Sequence, residues 1–213
     1  GIFQNTQEID EWRAVGNGIL QSNVQPGDVR FVDRNHDGQI NDKDKVNLGN
    51  GTPDFTLGLN LGFVYKGFDF SIVANGAFGQ QIVQSYRNHT RPTPNYTTAI
   101  LDRWHGEGTS NRIPRVTDSN INYQFSDLFI QNGDYLRLST LTLGYDFAKL
   151  FKGKAVSQAR LYFQVQNLFT ITGYDGMDPE IGFGSSNNSW VSGLDYGYYP
   201  RPRTVLVGVN LKF

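Results

Sequence analysis

Asp33, Asn35, Asp37, Gln39, Asn41 and Asp44 occupy positions one, three, five, seven, nine and twelve of a twelve-residue loop, with Gly38 at six and Ile40 at eight. Calcium takes six to eight hard oxygen ligands on a tightly curved chain, and this spacing supplies them. Gly38 permits the turn, and Gln39 can offer its backbone carbonyl. Asp44 stands where a longer Glu is usual, so two-oxygen binding at that corner is less secure. The competing reading is an Asx-rich turn satisfied by its own side-chain hydrogen bonds. The spacing points to structural Ca2+ rather than a sensor, because no paired helical hand flanks the loop.

Other chemistry is sparse. His36, His89 and His105 share no metal-ligand spacing and read as solvated loop residues. Nucleophile-elbow, Walker and dinucleotide signatures do not occur. Asp175, Asp178 and Glu180 would suit a glycosidase carboxylate pair, but Asp175-Gly and Asp178-Pro179 are turn dipeptides, so no catalytic residue is assigned. Loop aromatics remain: Trp104, Tyr123, Phe129, Trp190, Tyr196, Tyr198 and Tyr199. Some must pack the loops, and one or two are expected to meet a ligand or a partner protein.

The elements that position these residues are strands. Phe55–Tyr65 sets Phe55, Leu57, Leu59, Leu61, Phe63 and Tyr65 on one face and Thr56, Gly58, Asn60, Gly62 and Val64 on the other. Phe68–Phe78, Ala159–Phe169 and Arg203–Phe213 alternate likewise. Asp134–Phe147 carries Leu141, Leu143, Tyr145 and Phe147 in one phase and Leu136 and Leu138 in the other, which predicts a bulge near Ser139–Thr140. Helical patterning is expected at Thr6–Val15, where Ile9 and Trp12 share a face, and at Thr98–His105. Tyr65, Phe68, Tyr135 and Phe169 fall at strand ends, as in an interfacial aromatic girdle.

Mean hydropathy is −0.44, and no apolar run approaches the ~20 residues of a membrane helix. Alternating strands escape that test. Eleven residues rise about 36 Å, and a tilt near 40° brings this to about 27 Å, close to the apolar band of an outer membrane. The connections alternate too: Lys66–Gly67 is tight, 79–133 long, Ala148–Gln158 short, 170–202 long. Short periplasmic turns and long extracellular loops have that pattern. Residues 1–54 then form a further extracellular segment, and 55–213 hold five spanning strands. Five strands cannot close a barrel, so partner strands are expected upstream. A net charge of −1 and the lack of a basic run argue against nucleic acid. The chain contains no cysteine and opens on Gly1 rather than Met, which reads as a piece of something longer.

Several blocks together resemble the C-terminal region of SusC/RagA-type TonB-dependent outer-membrane transporters. They are Gly27-Asp28 through Ile40, Leu48-Gly49-Asn50-Gly-Thr-Pro53, Asp134-Tyr135-Leu136-Arg137-Leu138, and Gln166-Asn167-Leu168-Phe169 leading to Asp178-Pro179-Glu180. Tyr199-Pro200-Arg201 and the opening Gly1-Ile2-Phe3-Gln4 belong with them. The resemblance implies an all-β, 22-stranded transmembrane barrel around a plug, a SusD-like surface lipoprotein as cap, and TonB–ExbB–ExbD acting through a plug that these residues lack. It implies an oligosaccharide or peptide cargo, and Phe213 as the signal read by the barrel-assembly machinery. The alternative is a secreted, calcium-stabilised β-sandwich that binds glycan, its alternating strands packed sheet on sheet.

Overall fold

The structure, a computed structural model, describes residues 1–15, 21–85, 96–118, 120–148, 156–181 and 192–213. Trp190, His89 and most of the Ala148–Gln158 connection lie outside the described residues. The chain divides into two compact units, Gly1–Leu48 with Ser85–Ile130, and Gly49–Gln84 with Gln131–Phe213.

In the first unit, helix α1 (Thr6–Val15) starts one residue after its cap. The Asn5 Oδ1 accepts from the Glu8 amide at 2.9 Å, and Glu8 Oε2 accepts from the Gln4 amide at 2.8 Å. The first satisfies an N–H group that the first turn cannot pair internally, and the second ties the residue before the cap back onto the helix. Ile9 turns inward onto Phe3 and Val24, with Trp12 and Ile121 packed around them. The Phe3 and Trp12 rings meet edge to face at 5.2 Å. Thr98–Asp102 is a single 3-10 turn and stops short of His105. Its end is set by pairing: Arg103 bridges Ile113, and the Trp104 amide donates to the Ile113 carbonyl at 2.8 Å, so those backbone groups are unavailable to a helix.

The second unit is built on five antiparallel strands: β1 (Phe55–Tyr65), β2 (Phe68–Phe78), β5 (Tyr135–Asp146), β6 (Gln158–Thr172) and β8 (Thr204–Lys212), in the order β1-β2-β5-β6-β8. The β1–β2 hairpin turns on Lys66 and Gly67, at φ 49° and 90°. Two successive left-handed residues match the twist of the flanking strands. A second, small sheet pairs β4 (Ile130–Asn132), β3 (Gln81–Gln84) and β7 (Leu194–Asp195). It lies inside stretches that alternation alone reads as loop, because two to four residues are too few to show a period.

The predicted bulge is present. Leu138 pairs with Ala74 and Thr140 with Val73, so Ser139 is left over against β2; on the other side Leu138 pairs with Phe169 and Thr140 with Gln166, so Asn167 and Leu168 stand opposite Ser139. One extra residue returns Leu136 and Leu138 to the face of Leu141 and Leu143. The same shift turns Tyr135 to the opposite face, where it is 8% exposed. Tyr135 is therefore not part of the outer aromatic girdle. Tyr65 and Phe68 do lie on the apolar face at the hairpin end, where the Tyr145 ring tilts against Phe68 and meets Phe147 edge to face.

Candidate functional site

Register across the five strands lines up two kinds of row. On one face run Leu61–Ile72–Leu141–Val165–Val205, Phe63–Phe70–Leu143–Phe163–Val207 and Tyr65–Phe68–Tyr145–Leu161–Val209. Phe63 is 63% exposed and Val207 71%. Val165, in the middle of the first row, is only 6% exposed, but rows of apolar side chains left uncovered over most of their length do not persist in water. On the other face run Asn60–Val73–Thr140–Gln166–Thr204 and Gly62–Ser71–Thr142–Gln164–Leu206, without a charge between them. Nearer the hairpin end, Arg160 forks onto Asp69 with Nε–Oδ1 at 2.7 Å, and its guanidinium lies 4.8 Å from the Tyr162 ring. Gly144 and Gly208 leave these side chains room to lie flat, since a Cβ at either would collide with them. The soluble sandwich requires a second sheet on the apolar face; among the described residues the only other sheet is the small β4-β3-β7 one.

The opposite end of the polar face carries a charge cluster that sequence reasoning missed. Arg137 is 3% exposed. Its Nε donates to Thr170 Oγ1 at 3.0 Å, its Nη2 meets Asp178 Oδ1 at 2.5 Å, and its Nη1 lies 3.1 Å from Glu180 Oε2. Arg201 reaches Glu180 Oε1 at 2.8 Å, and the Arg201 amide donates to Asp178 Oδ2. Asp178 and Glu180 are thus committed to arginines, which suits neither member of a glycosidase pair. The signal in the sequence was an arginine inside a strand, in phase with the polar face.

The Asp/Asn loop of the first unit is ordered by its own backbone. Asp33 Oδ2 accepts from the Gly38 amide, Asp37 Oδ1 from Gln39, and Asn41 Oδ1 from Lys43. Asp44 accepts from Arg34 through Oδ1 and from Asn41 through Oδ2, each at 2.8 Å. Gly38 takes φ 79°, as a tight turn demands. The Asn41 amide, with those of Arg34 and Asn35, holds the Asp44 carboxyl below the ordinary carboxylate range. Because the folded-state value is depressed, this contribution is complete above the ordinary range and is lost as pH falls through the lower folded value. Among the described residues no three His, Asp or Glu side chains gather into a ready-made metal centre. Asp33 Oδ1 nevertheless lies shielded from solvent without a hydrogen-bond donor, and the Asp33 and Asp44 carboxyls are neighbours.

The loop aromatics separate by burial. Trp104 is half-buried, its ring set against Gly27 and the Arg115 stem. Tyr123 and Phe129 are half-buried beside short 3-10 turns. Tyr196 and Tyr199 are 57% and 86% exposed, with Tyr198 half-buried between them. Their segment is fixed by Asp195, fully buried, which accepts from the Gly197 and Tyr198 amides and from the Tyr174 hydroxyl. Phe213 is 84% exposed, one residue beyond the end of β8.

An antiparallel sheet of long strands, apolar on one side and neutral-polar on the other, defines a piece of a transmembrane β-barrel wall; no helix among the described residues is long and apolar enough to cross a membrane. The chain is 34% identical over 209 residues to TonB-dependent receptor P3 of Formosa agariphila, covering 93% of this chain and 20% of the relative. To TonB-dependent receptor SusC of Bacteroides thetaiotaomicron it is 31% identical over 197 residues, covering 92% of this chain and 18% of that one. Over most of its length it is thus similar to TonB-dependent receptors, SusC among them, which are outer-membrane barrel proteins, and it spans about a fifth of the length of the curated relatives it matches. In fold it is similar to the RagAB peptide transporter, with TM-score 0.65, 24% identity, and coverage of 83% of this chain and 19% of that one. The closed-closed state of the RagAB peptide importer gives TM-score 0.64 at 22% identity, over 85% of this chain and 20% of that one. No family model matches the chain.

Proposed function

We propose that these residues form the C-terminal wall of an energy-coupled outer-membrane importer, with 55–213 giving its final five strands and 1–54 and the long loops outside the cell. The observation that carries this reading is the pairing of complete apolar rows on one face with uncharged polar rows on the other. Lipid covers the first face, and the second lines the lumen. The protein carries out no catalysis of its own. Upstream strands and a plug complete it, TonB–ExbB–ExbD drives it through that plug, a SusD-like surface lipoprotein caps it, and the barrel-assembly machinery reads Phe213.

Cargo is an oligosaccharide: side-chain amides and hydroxyls in the two middle rows suit neutral hydroxyl-rich molecules, and Tyr196 and Tyr199 offer ring faces at the mouth. A peptide is the second reading, favoured by the likeness to structures titled as a peptide transporter. Uptake of labelled neutral oligosaccharides and of labelled peptides by cells with and without the whole protein tests this. Receptor-dependent, protonophore-sensitive sugar uptake is expected. Peptide uptake without sugar uptake would replace the cargo, and neither would remove the importer reading.

The Asp33–Asp44 loop takes structural Ca2+. A carboxylate oxygen that accepts one amide hydrogen retains a second lone pair, and the shielded Asp33 Oδ1 beside Asp44 supports a cation there. Asp33, Asn35, Asp37, the Gln39 carbonyl, Asn41 and Asp44 would hold it. Titration calorimetry on the whole protein is expected to give a site in the range of about 10⁻⁴–10⁻³ M, typical of extracellular modules, that is abolished by Asp33→Ala with Asp37→Ala. Equal heats from both proteins at millimolar calcium would remove the metal.

A further inference from the structure

The connection between β6 and β8 does not simply leave the sheet. Its two described arms, 173–181 and 192–203, return to the polar face and converge on one wall residue. The first arm is anchored where the Tyr174 amide donates to Thr172 Oγ1, and it delivers Asp178 and Glu180 to Arg137. The second is anchored where the Pro202 carbonyl accepts from Asn167 Nδ2, and Arg201 ties it to the same two carboxylates. Away from the wall the arms are joined again, through the Tyr174 hydroxyl on Asp195. Beneath them Tyr135 is buried, with Asn75 Nδ2 at 3.5 Å from its hydroxyl and Glu180 and Arg201 close by.

Two cations and two anions are matched here, yet the fit is incomplete. Arg137 Nη1 and Glu180 Oε2, 3.1 Å apart, are both sealed from solvent without a well-aligned hydrogen bond. Burying such a cluster is a poor source of stability, because desolvation cancels much of the attraction. Its best use is to select one arrangement of the chain. We propose that Arg137 is the positioning residue of a strap: it draws both arms of the β6–β8 connection onto the polar face and closes them over Tyr135. Glu180 is the weak side of the clasp, at 23% side-chain exposure against 5% for Asp178. Release therefore begins at Glu180 and Arg201, and it uncovers the polar surface of Tyr135, Asn75 and Thr170.

The test is cysteine labelling on the purified whole protein in detergent, in a background free of other cysteines; these 213 residues contribute none. Tyr135→Cys is compared with the same substitution combined with Arg137→Gln, Arg137→Lys or Glu180→Gln, each checked for an assembled barrel by heat-modifiable migration. A bulky maleimide is expected to react at least ten times faster once Arg137→Gln is present, and by an intermediate factor with Glu180→Gln. Lysine should restore little, since it cannot fork between two carboxylates. Tyr199→Cys, already exposed, should react equally fast in every background. If the thiol introduced by Tyr135→Cys reacts at rates within twofold of the parent in assembled Arg137→Gln and Glu180→Gln proteins, the strap is overturned. Should Arg137→Gln fail to assemble, an unchanged rate in Glu180→Gln overturns it alone. Labelling needs neither cargo nor lipoprotein, so a mistaken cargo would leave this result unmoved.

Discussion

Replacing Asp28 with alanine should destabilise the Gly1–Leu48/Ser85–Ile130 unit by about 3–5 kcal/mol, the usual penalty for removing one partner of a buried ion pair. Asp28 has no exposed surface. Its Oδ1 accepts from Arg115 Nε at 2.7 Å and from Asn122 Nδ2 at 3.1 Å, and its Oδ2 accepts from Arg115 Nη2 and the Gln25 amide. Alanine would leave a guanidinium, an amide side chain and a backbone N–H without their acceptor. Asn122 would lose one restraint on Val29, whose amide it accepts at 2.8 Å. Arg115 keeps a quarter of its side chain in solvent, which favours the lower end of the range. Hydrogen exchange at the Phe3, Val29 and Arg115 amides measures the effect. Protection should fall by two to three orders of magnitude, on the order of 1.4 kcal/mol per decade. Exposed Glu11→Ala should leave it unchanged. A loss below one decade for Asp28→Ala would mean that the pair only decorates a unit held by Phe3, Ile9 and Val24.

Arginine at Leu59 should cost about 2–4 kcal/mol if that residue faces lipid near the bilayer centre, whereas arginine at Asn60 should cost close to nothing. The two are adjacent in β1 and differ in face. Leu59 belongs to the row Leu59–Ala74–Leu138–Phe169, and Asn60 to the row of Thr140 and Gln166. Neither backbone nor strand propensity separates such neighbours, so the difference isolates the solvent on each side. Folding of the whole protein into lipid vesicles, followed across a denaturant series, gives both values. Equal costs at the two positions would mean that both faces meet the same medium, and the membrane reading of this sheet would fail.

Where the sequence is periodic, it predicted the structure closely. Phe55–Tyr65 and Phe68–Phe78 are strands over the predicted residues, joined by the predicted two-residue turn, because a half-lipid, half-water surface forces strict alternation for eleven residues. The bulge at Ser139 was readable as a phase slip between Leu138 and Leu141. Tyr135 was misread because its face depends on counting through that slip. Other features have no period. Strands β3, β4 and β7 are too short to show one, and the 3-10 turn at Thr98–Asp102 ends where Arg103 finds Ile113. The Asp/Asn loop was legible as a tight, oxygen-rich turn, since its residues are contiguous and the turn is local.

The sequence by itself determined which residues lie on each side of β1 and β2, the two-residue hairpin, the family likeness and the oxygen-rich loop. All of these follow from interactions a few residues apart or from a repeating pattern. Only the tertiary structure decided that Arg137 meets Asp178 and Glu180, that Asp28 meets Arg115, and that Trp104 packs inward while Tyr199 stands exposed. Those pairs join residues some 40 to 90 positions apart. A charge carries no address in the chain; its partner is whichever opposite charge the strand register and the returning loops bring within reach.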